Sequence, residues 1–223
     1  MQFNGNRGSI NDYARSELKI VVVDYQSGNL RSVAKALEIA GVTPVVSDAP
    51  HVISSADAVV LPGVGSGKAA MDALSARELI DPLRDFVDSG RPFLGICLGL
   101  QLLMDKTEEG DTACLGVVSG EVKQFPPGLK VPHIGWNLVS FKEEHPVLKD
   151  IPSNSHFYFV HSYYAVPTNW QNALGLTSYG FEFCSVIGSN NLIATQFHPE
   201  KSGPVGLKIY RNFVDYSAKT ANG

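Results

Sequence analysis

Cys97 stands in Gly95-Ile96-Cys97-Leu98-Gly99, where an apolar run gives way to a helical one. The Gly-x-nucleophile-x-Gly form lets a strand turn sharply into a helix and exposes the central side chain at the turn. A thiol there meets unpaired N–H groups and the positive end of the helix dipole, which favour the thiolate. A buried core thiol is the competing reading of a cysteine beside an apolar strand; Cys114 and Cys184 lack the flanking glycines and read as small packing residues. A thiol nucleophile needs a base, and the base needs an orienting acceptor. Gln196-Phe197-His198-Pro199-Glu200 supplies both types. Pro199 favours an extended His198, and in an extended chain residues two apart point the same way, so the Glu200 carboxylate can approach the imidazole. The expectation is a Cys97, His198, Glu200 triad for acyl transfer.

Leu61-Pro62-Gly63-Val64-Gly65-Ser66-Gly67-Lys68 invites a phosphate-loop reading and fails it. The leading glycine is replaced by Pro62, and Ala69 stands where a Ser or Thr would bind magnesium. A dinucleotide fingerprint fails as well, because it requires glycine at Lys68. The turn can instead present backbone N–H groups to a developing oxyanion, beside the N–H of Leu98; a plain surface turn is the alternative.

These segments need a scaffold. The chain has 223 residues, a formal net charge of −4 and three cysteines. That length suits one α/β domain, and the cysteines fit neither a disulfide framework nor a zinc site. Basic residues are scattered singly, so nucleic acid is not expected as a partner. Residues 1–18 are polar and lack the apolar core of a signal peptide, and no apolar run is long enough to span a bilayer. The reading is a cytoplasmic protein with an extension at 1–18, one domain over 19–217 and a tail at 218–223. Apolar strands are expected at 19–25, 44–47, 57–61 and 92–97. Helices are expected at 29–41, 68–80, 82–89 and 98–104, with Ser27 or Asn29 capping the first and Gly41 stopping it. Strands apolar on both sides that alternate with helices form a parallel sheet covered on both faces. Beyond residue 115 the pattern changes to short strands at 117–125, 136–141, 157–165, 181–188 and 192–197, hairpin-like in spacing, before a last helix at 204–217. The fold class is therefore α/β, a single doubly wound, largely parallel central sheet flanked by helices, with an antiparallel extension in the second half.

Pro62-Gly63-Val64-Gly65, Gly95 to Gln101 and His198-Pro199-Glu200 together resemble the class I (triad) glutamine amidotransferases, in the order Cys, His, Glu and in spacing. Within that class, residues 24–32, Pro132-His133-Ile134-Gly135-Trp136-Asn137 and residues 157–163 resemble the glutaminase subunits that serve imidazole-ring closure in histidine biosynthesis. The likeness covers about Lys19 to Val214. Gln26 departs from it, standing where those proteins usually have glycine.

The resemblance implies that Cys97 attacks the side-chain amide of glutamine and that Gly63, Val64, Gly65 and Leu98 form the oxyanion site. It also implies that His198, oriented by Glu200, moves the proton to departing ammonia. Gln101 and the Ser162-Tyr163 pair are expected to touch glutamine. Asn29, Trp136, Tyr158 and Lys201 are expected at an interface with a (βα)8-barrel cyclase subunit, into which ammonia passes within a heterodimer. An aromatic after Ile-Gly on a loop suits such an anchor. His133 and His161 are expected to serve hydrogen bonding, and His51, His145 and His156 to be surface or structural residues. No metal, cofactor, nucleic acid or membrane is expected. The competing functions are an amidotransferase subunit of another pathway, a free-standing γ-glutamyl hydrolase, and a silent α/β binding scaffold.

Overall fold

The computed structural model describes residues 17–222, so the extension expected at 1–18 lies almost wholly outside the described residues. The first four strands are β1 (Ile20–Val23), β2 (Val45–Ser47), β3 (Ala58–Leu61) and β4 (Phe93–Ile96). They are parallel in the order β2, β1, β3, β4, and β13 (Leu192–Thr195) lies parallel beside β4. The sheet then turns antiparallel through β12 (Glu182–Ser189) and β10 (Tyr163–Pro167) to β7 (Val118–Gln124). This is the expected α/β fold, with its antiparallel strands in the second half.

β1, β3 and β4 are buried along their whole length. Alternation divides their side chains between two cores: Val21, Val23, Val59, Leu61 and Phe93 on one face, Ile20, Val22, Ala58, Val60, Leu94 and Ile96 on the other. The first face is covered by α2 (Pro50–Ser54), α3 (Gly67–Ala76) and α4 (Ile80–Asp88), through Ile53, Met71, Leu74, Leu83 and Phe86. The second is covered by α1 (Leu30–Ile39) and α6 (Gly203–Ala221), through Val33, Leu37, Ile209, Tyr210 and Phe213. Each fully buried Leu, Val or Phe contributes roughly 1.5–3 kcal/mol, enough for the two layers to hold the strand ends rigid.

Several boundaries differ from expectation for local reasons. α4 begins before Pro82 because proline in the first helical turn forfeits no hydrogen bond. The helix after Cys97 is a single short one, α5 (Leu98–Leu102), and Met104–Thr107 forms β5, parallel to β7. Residues 112–113 pair with β5 as β6 (Thr112–Ala113). The strand expected at 157–165 is two: β9 (Ser155–His161) pairs with β8 (His133–Phe141), and the chain breaks at Ser162 so that β10 joins the main sheet. Trp136, expected on a loop, lies within β8. β11 (Ala173–Ser178), unforeseen, bridges β12 and β8. α6 runs through Ala221, so residues 218–221, read as tail, are helical.

Candidate active site

Cys97 is the hinge between β4 and α5 and adopts φ 54°, ψ −106°. A side chain held at positive φ outside glycine marks stored backbone strain, which here turns the thiol out of the sheet. The flanking glycines are sterically required. A Cβ at Gly95 would stand 2.9 Å from the Ala194 Cβ, and one at Gly99 would collide with the Leu61 carbonyl.

His198 follows β13, whose register beside β4 pairs Thr195 with Ile96. Its backbone N–H donates to the Tyr158 carbonyl at 2.9 Å, and its carbonyl accepts from the Ser202 hydroxyl at 2.6 Å. Glu200 sits in a 3-10 turn (Pro199–Lys201), so the curl of the chain after an extended His198, rather than an extended run, brings the two side chains together. The His198 Nδ1 lies 2.7 Å from Glu200 Oε1, and both side chains are fully buried. The carboxylate also accepts from Asn29 Nδ2 at 3.2 Å and from the Tyr210 hydroxyl at 3.4 Å. With its Nδ1 proton committed to Glu200, the imidazole has Nε2 left over. Among the described residues, Nε2 is the buried side-chain polar atom with no hydrogen-bond partner.

Burial pushes the His198 pKa down, but contact with Cys97 and Glu200 outweighs it and raises the value to about 9. Burial likewise opposes ionisation of Glu200, yet the His198 and Asn29 contacts hold its carboxyl below the usual range. The imidazole is thus able to hold a proton beside the sulfur, with the ionised carboxylate orienting the ring and stabilising its charged form.

The turn after β3 is braced from below. Tyr25 donates to the Pro62 carbonyl at 2.8 Å, and burial drives the phenol pKa well up, keeping it a donor. A Cβ on Gly63 would strike the Tyr25 hydroxyl and the Leu98 Cβ, while Gly65 holds φ 102° in open space. The Leu98 N–H makes a long, 3.4 Å contact to the Gly63 carbonyl. As the turn stands, that carbonyl therefore competes for one of the N–H groups expected to hold an oxyanion.

A cavity of about 400 Å³ opens above the sulfur, lined by Val64, Gly65, Cys97, Leu98, Gln101, Ser162, Tyr163 and Lys201 among the expected site residues, and by His161. Gly63 lies behind the lining, packed against Tyr25. Glu109 also lines the cavity, the one acidic side chain among its described lining residues, and it accepts from the Gly67 N–H. Nothing local flags Glu109 in the sequence, since it stands in a polar turn rich in charge. A larger hollow of about 910 Å³ between Phe141 and Ser153 contains none of these groups. Among the described residues no cluster of His, Cys, Asp and Glu could hold a metal ion.

The four residues expected at an interface separate. Asn29 is buried against Glu200, whereas Trp136 is exposed and meets Tyr158 edge-on across β8 and β9 with ring centroids 6.1 Å apart. Ile134, Trp136 and Leu138 alternate along β8 and all face outward.

The fold and this site define a class I glutamine amidotransferase, and the chain belongs to that family: the "Glutamine amidotransferase class-I" model matches residues 21–216. Solved structures agree in fold. A glutamine amidotransferase crystal structure superposes with TM-score 0.70 at 17% identity, covering 88% of this chain and 98% of that one. PurLQS from Thermotoga maritima gives 0.70 at 19%, covering 89% and 98%. Closer in sequence is the imidazole glycerol phosphate synthase subunit HisH of Dehalococcoides mccartyi strain CBDB1, 48% identical over 196 residues, 87% of this chain and 95% of the relative. The same subunit of Methanosarcina barkeri is 50% identical over 205 residues, 88% and 98%. Within its class the chain thus belongs to the HisH family of imidazole glycerol phosphate synthase subunits.

Proposed function

We propose that this protein is the glutaminase subunit of imidazole glycerol phosphate synthase and supplies ammonia for histidine biosynthesis. The observation that carries the reading is the orphaned His198 Nε2, pinned through Nδ1 to Glu200 beside a strained Cys97 elbow. That arrangement stores a proton-transfer group against a nucleophile and serves no packing purpose.

The Cys97 sulfur attacks the glutamine side-chain carbonyl carbon, giving a tetrahedral oxyanion. His198 delivers a proton to the amide nitrogen, the C–N bond breaks, and ammonia leaves a glutamyl thioester. Water, deprotonated by His198, then attacks the thioester carbon; the C–S bond breaks, the sulfur regains its proton, and glutamate departs. Gln101, Ser162 and Tyr163 position the substrate, and the Glu109 carboxylate suits the α-ammonium group that every free glutamine carries. The oxyanion is held by the Leu98 N–H and by the turn over Gly63, Val64 and Gly65. The turn from Pro62 to Gly65 must rearrange to move the Gly63 carbonyl off Leu98 and bring a second donor inward, a change that glycine at both 63 and 65 eases.

The partner is a (βα)8-barrel cyclase subunit, docked on the apolar stripe of Ile134, Trp136 and Leu138 with Tyr158 and Lys201 near the ammonia passage. An outward apolar row flanked by a paired aromatic is what an interface anchor requires. Asn29 acts from within, on the triad. A cytoplasmic location fits three unpaired thiols, and among the described residues no helix is long and apolar enough to cross a membrane. The test is glutaminase turnover of the chain alone and with the cyclase and its nucleotide ligand. A large stimulation is expected; high turnover unchanged by the partner points to a free-standing hydrolase instead.

A further inference from the structure

Gln196 stands two residues before the triad histidine and is wholly buried. Its Nε2 donates to the Cys97 sulfur at 3.8 Å, and its Oε1 accepts from Gln101 Nε2 at 3.1 Å. Gln101 Nε2 donates its second proton to the Tyr163 carbonyl at 3.0 Å. That carbonyl also faces His161 Nδ1 at 2.8 Å, and His161 Nε2 lies 3.0 Å from His133 Nδ1. His133 Nε2 in turn lies 3.3 Å from Asn137 Nδ2, which also donates to the Ser178 carbonyl at 2.9 Å.

Every proton in this chain of bonds has a determined place. A carbonyl can only accept, so His161 carries its proton on Nδ1 and accepts at Nε2. His133 must then donate from Nδ1 and accept at Nε2 from the Asn137 amide. The rings sit in an aromatic cage, His133 stacked on Tyr179 at 4.0 Å and His161 beside Phe125 at 5.1 Å. Burial holds His133 down to about 4 and His161 down to about 3, so both stay neutral. All four ring nitrogens are partnered, and a fully satisfied buried network of this kind rigidifies the groups that it ties together.

We propose that His133 and His161, anchored on Asn137, are positioning residues that orient the Tyr163 carbonyl and the Gln101 amide so that Gln196 holds the Cys97 sulfur toward the glutamine cavity. This rests on the glutaminase reading for its kinetic consequence, though not for its geometry. Gln196 contacts the nucleophile; the two histidines act through it.

The first test is 15N NMR of the imidazoles in the full chain near neutral pH. Both His133 and His161 should be Nδ1–H tautomers, and an Nε2–H tautomer at either overturns the direction of the chain of bonds. The second test is kinetic, with the cyclase partner present. His161→Phe keeps the ring volume and removes both hydrogen bonds; kcat should fall about tenfold with KM changed less than threefold. His161→Asn keeps a donor for the Tyr163 carbonyl and should recover most of that loss. A kcat within twofold of the wild type in His161→Phe, or equal losses in both variants, overturns the proposal. Should His161→Phe fail to fold, Gln196→Leu replaces it, read by iodoacetamide labelling of Cys97, which should slow severalfold. Unchanged labelling counts against the proposal. A wild-type chain with no glutaminase activity even with the cyclase and its nucleotide ligand present would refute the glutaminase reading alone, because the tautomers and the labelling rate do not depend on turnover.

Discussion

Asn29 Nδ2 donates to Glu200 Oε1, the same oxygen that accepts from His198 Nδ1. The residue that opens the first helix therefore steadies the carboxylate that holds His198. Losing a hydrogen bond to a buried carboxylate costs about 1.5–3 kcal/mol. Asn29→Ala should lower partner-stimulated kcat by about tenfold while leaving partner affinity near the wild-type value. A titration of cyclase binding alongside steady-state kinetics distinguishes this from an interface role, in which affinity would fall first.

Cys97→Ala removes one of the two groups that raise His198. Burial still pushes its pKa down, so the value should drop from about 9, as followed by NMR titration of the His198 ring. The linkage has a definite sign. A histidine whose folded pKa exceeds its unfolded value of about 6.5 contributes stability that is complete below pH 6.5 and disappears as pH rises through 9. Wild-type stability should fall over that window, and the fall should shrink in Cys97→Ala, which should also abolish glutamine hydrolysis.

Gly65 combines φ 102° with open space around its missing Cβ. Gly65→Ala should therefore strain the turn by roughly 1–2 kcal/mol without a clash and leave the fold intact. Glutaminase activity should fall at least tenfold if the turn from Pro62 to Gly65 must rearrange through residue 65, and normal stimulated turnover would exclude a rearrangement that uses that residue.

Gln26 occupies φ 72° with its side chain exposed, its N–H bound to the Asp24 carboxylate at 2.8 Å. This explains why glycine is usual at that position: the backbone is left-handed there, and only glycine enters that region freely. Gln26→Gly should raise stability by up to about 1 kcal/mol in chemical denaturation, with activity unchanged.

Trp136 is 56% exposed, so Trp136→Ala should change stability by less than about 1 kcal/mol. As a docking anchor its loss should weaken cyclase binding by about 2–4 kcal/mol, measured by calorimetry.

The Cys97 elbow was legible in the sequence because it is local: glycine on each side and an apolar run ending at a helix. The His198 and Glu200 pairing was legible for the same reason, two residues apart, although a 3-10 turn rather than an extended run brings them together. β8 begins three residues before the expected start at Trp136: Ile134, Trp136 and Leu138 already alternate with His133, Gly135 and Asn137, but Pro132 and Gly135, the latter at φ 135°, punctuate the run like a turn. Glu109, Gln196 and the brace of Asn29 and Tyr210 carried no local signal.

Chain-local physics, meaning turn sterics, hydrophobic period and the residue types that can exchange protons, was enough to give the class of fold and to propose a nucleophile and its base. What it could not supply was adjacency. The parallel register of β4 against β13, Ile96 opposite Thr195, places the end of one strand beside the end of the other and so sets Cys97 next to His198. The packing of α1 and α6 on one face delivers Asn29 and Tyr210 to Glu200. Those meetings depend on strand order and layer packing, which many distant residues decide jointly through burial, and no short window of sequence encodes them.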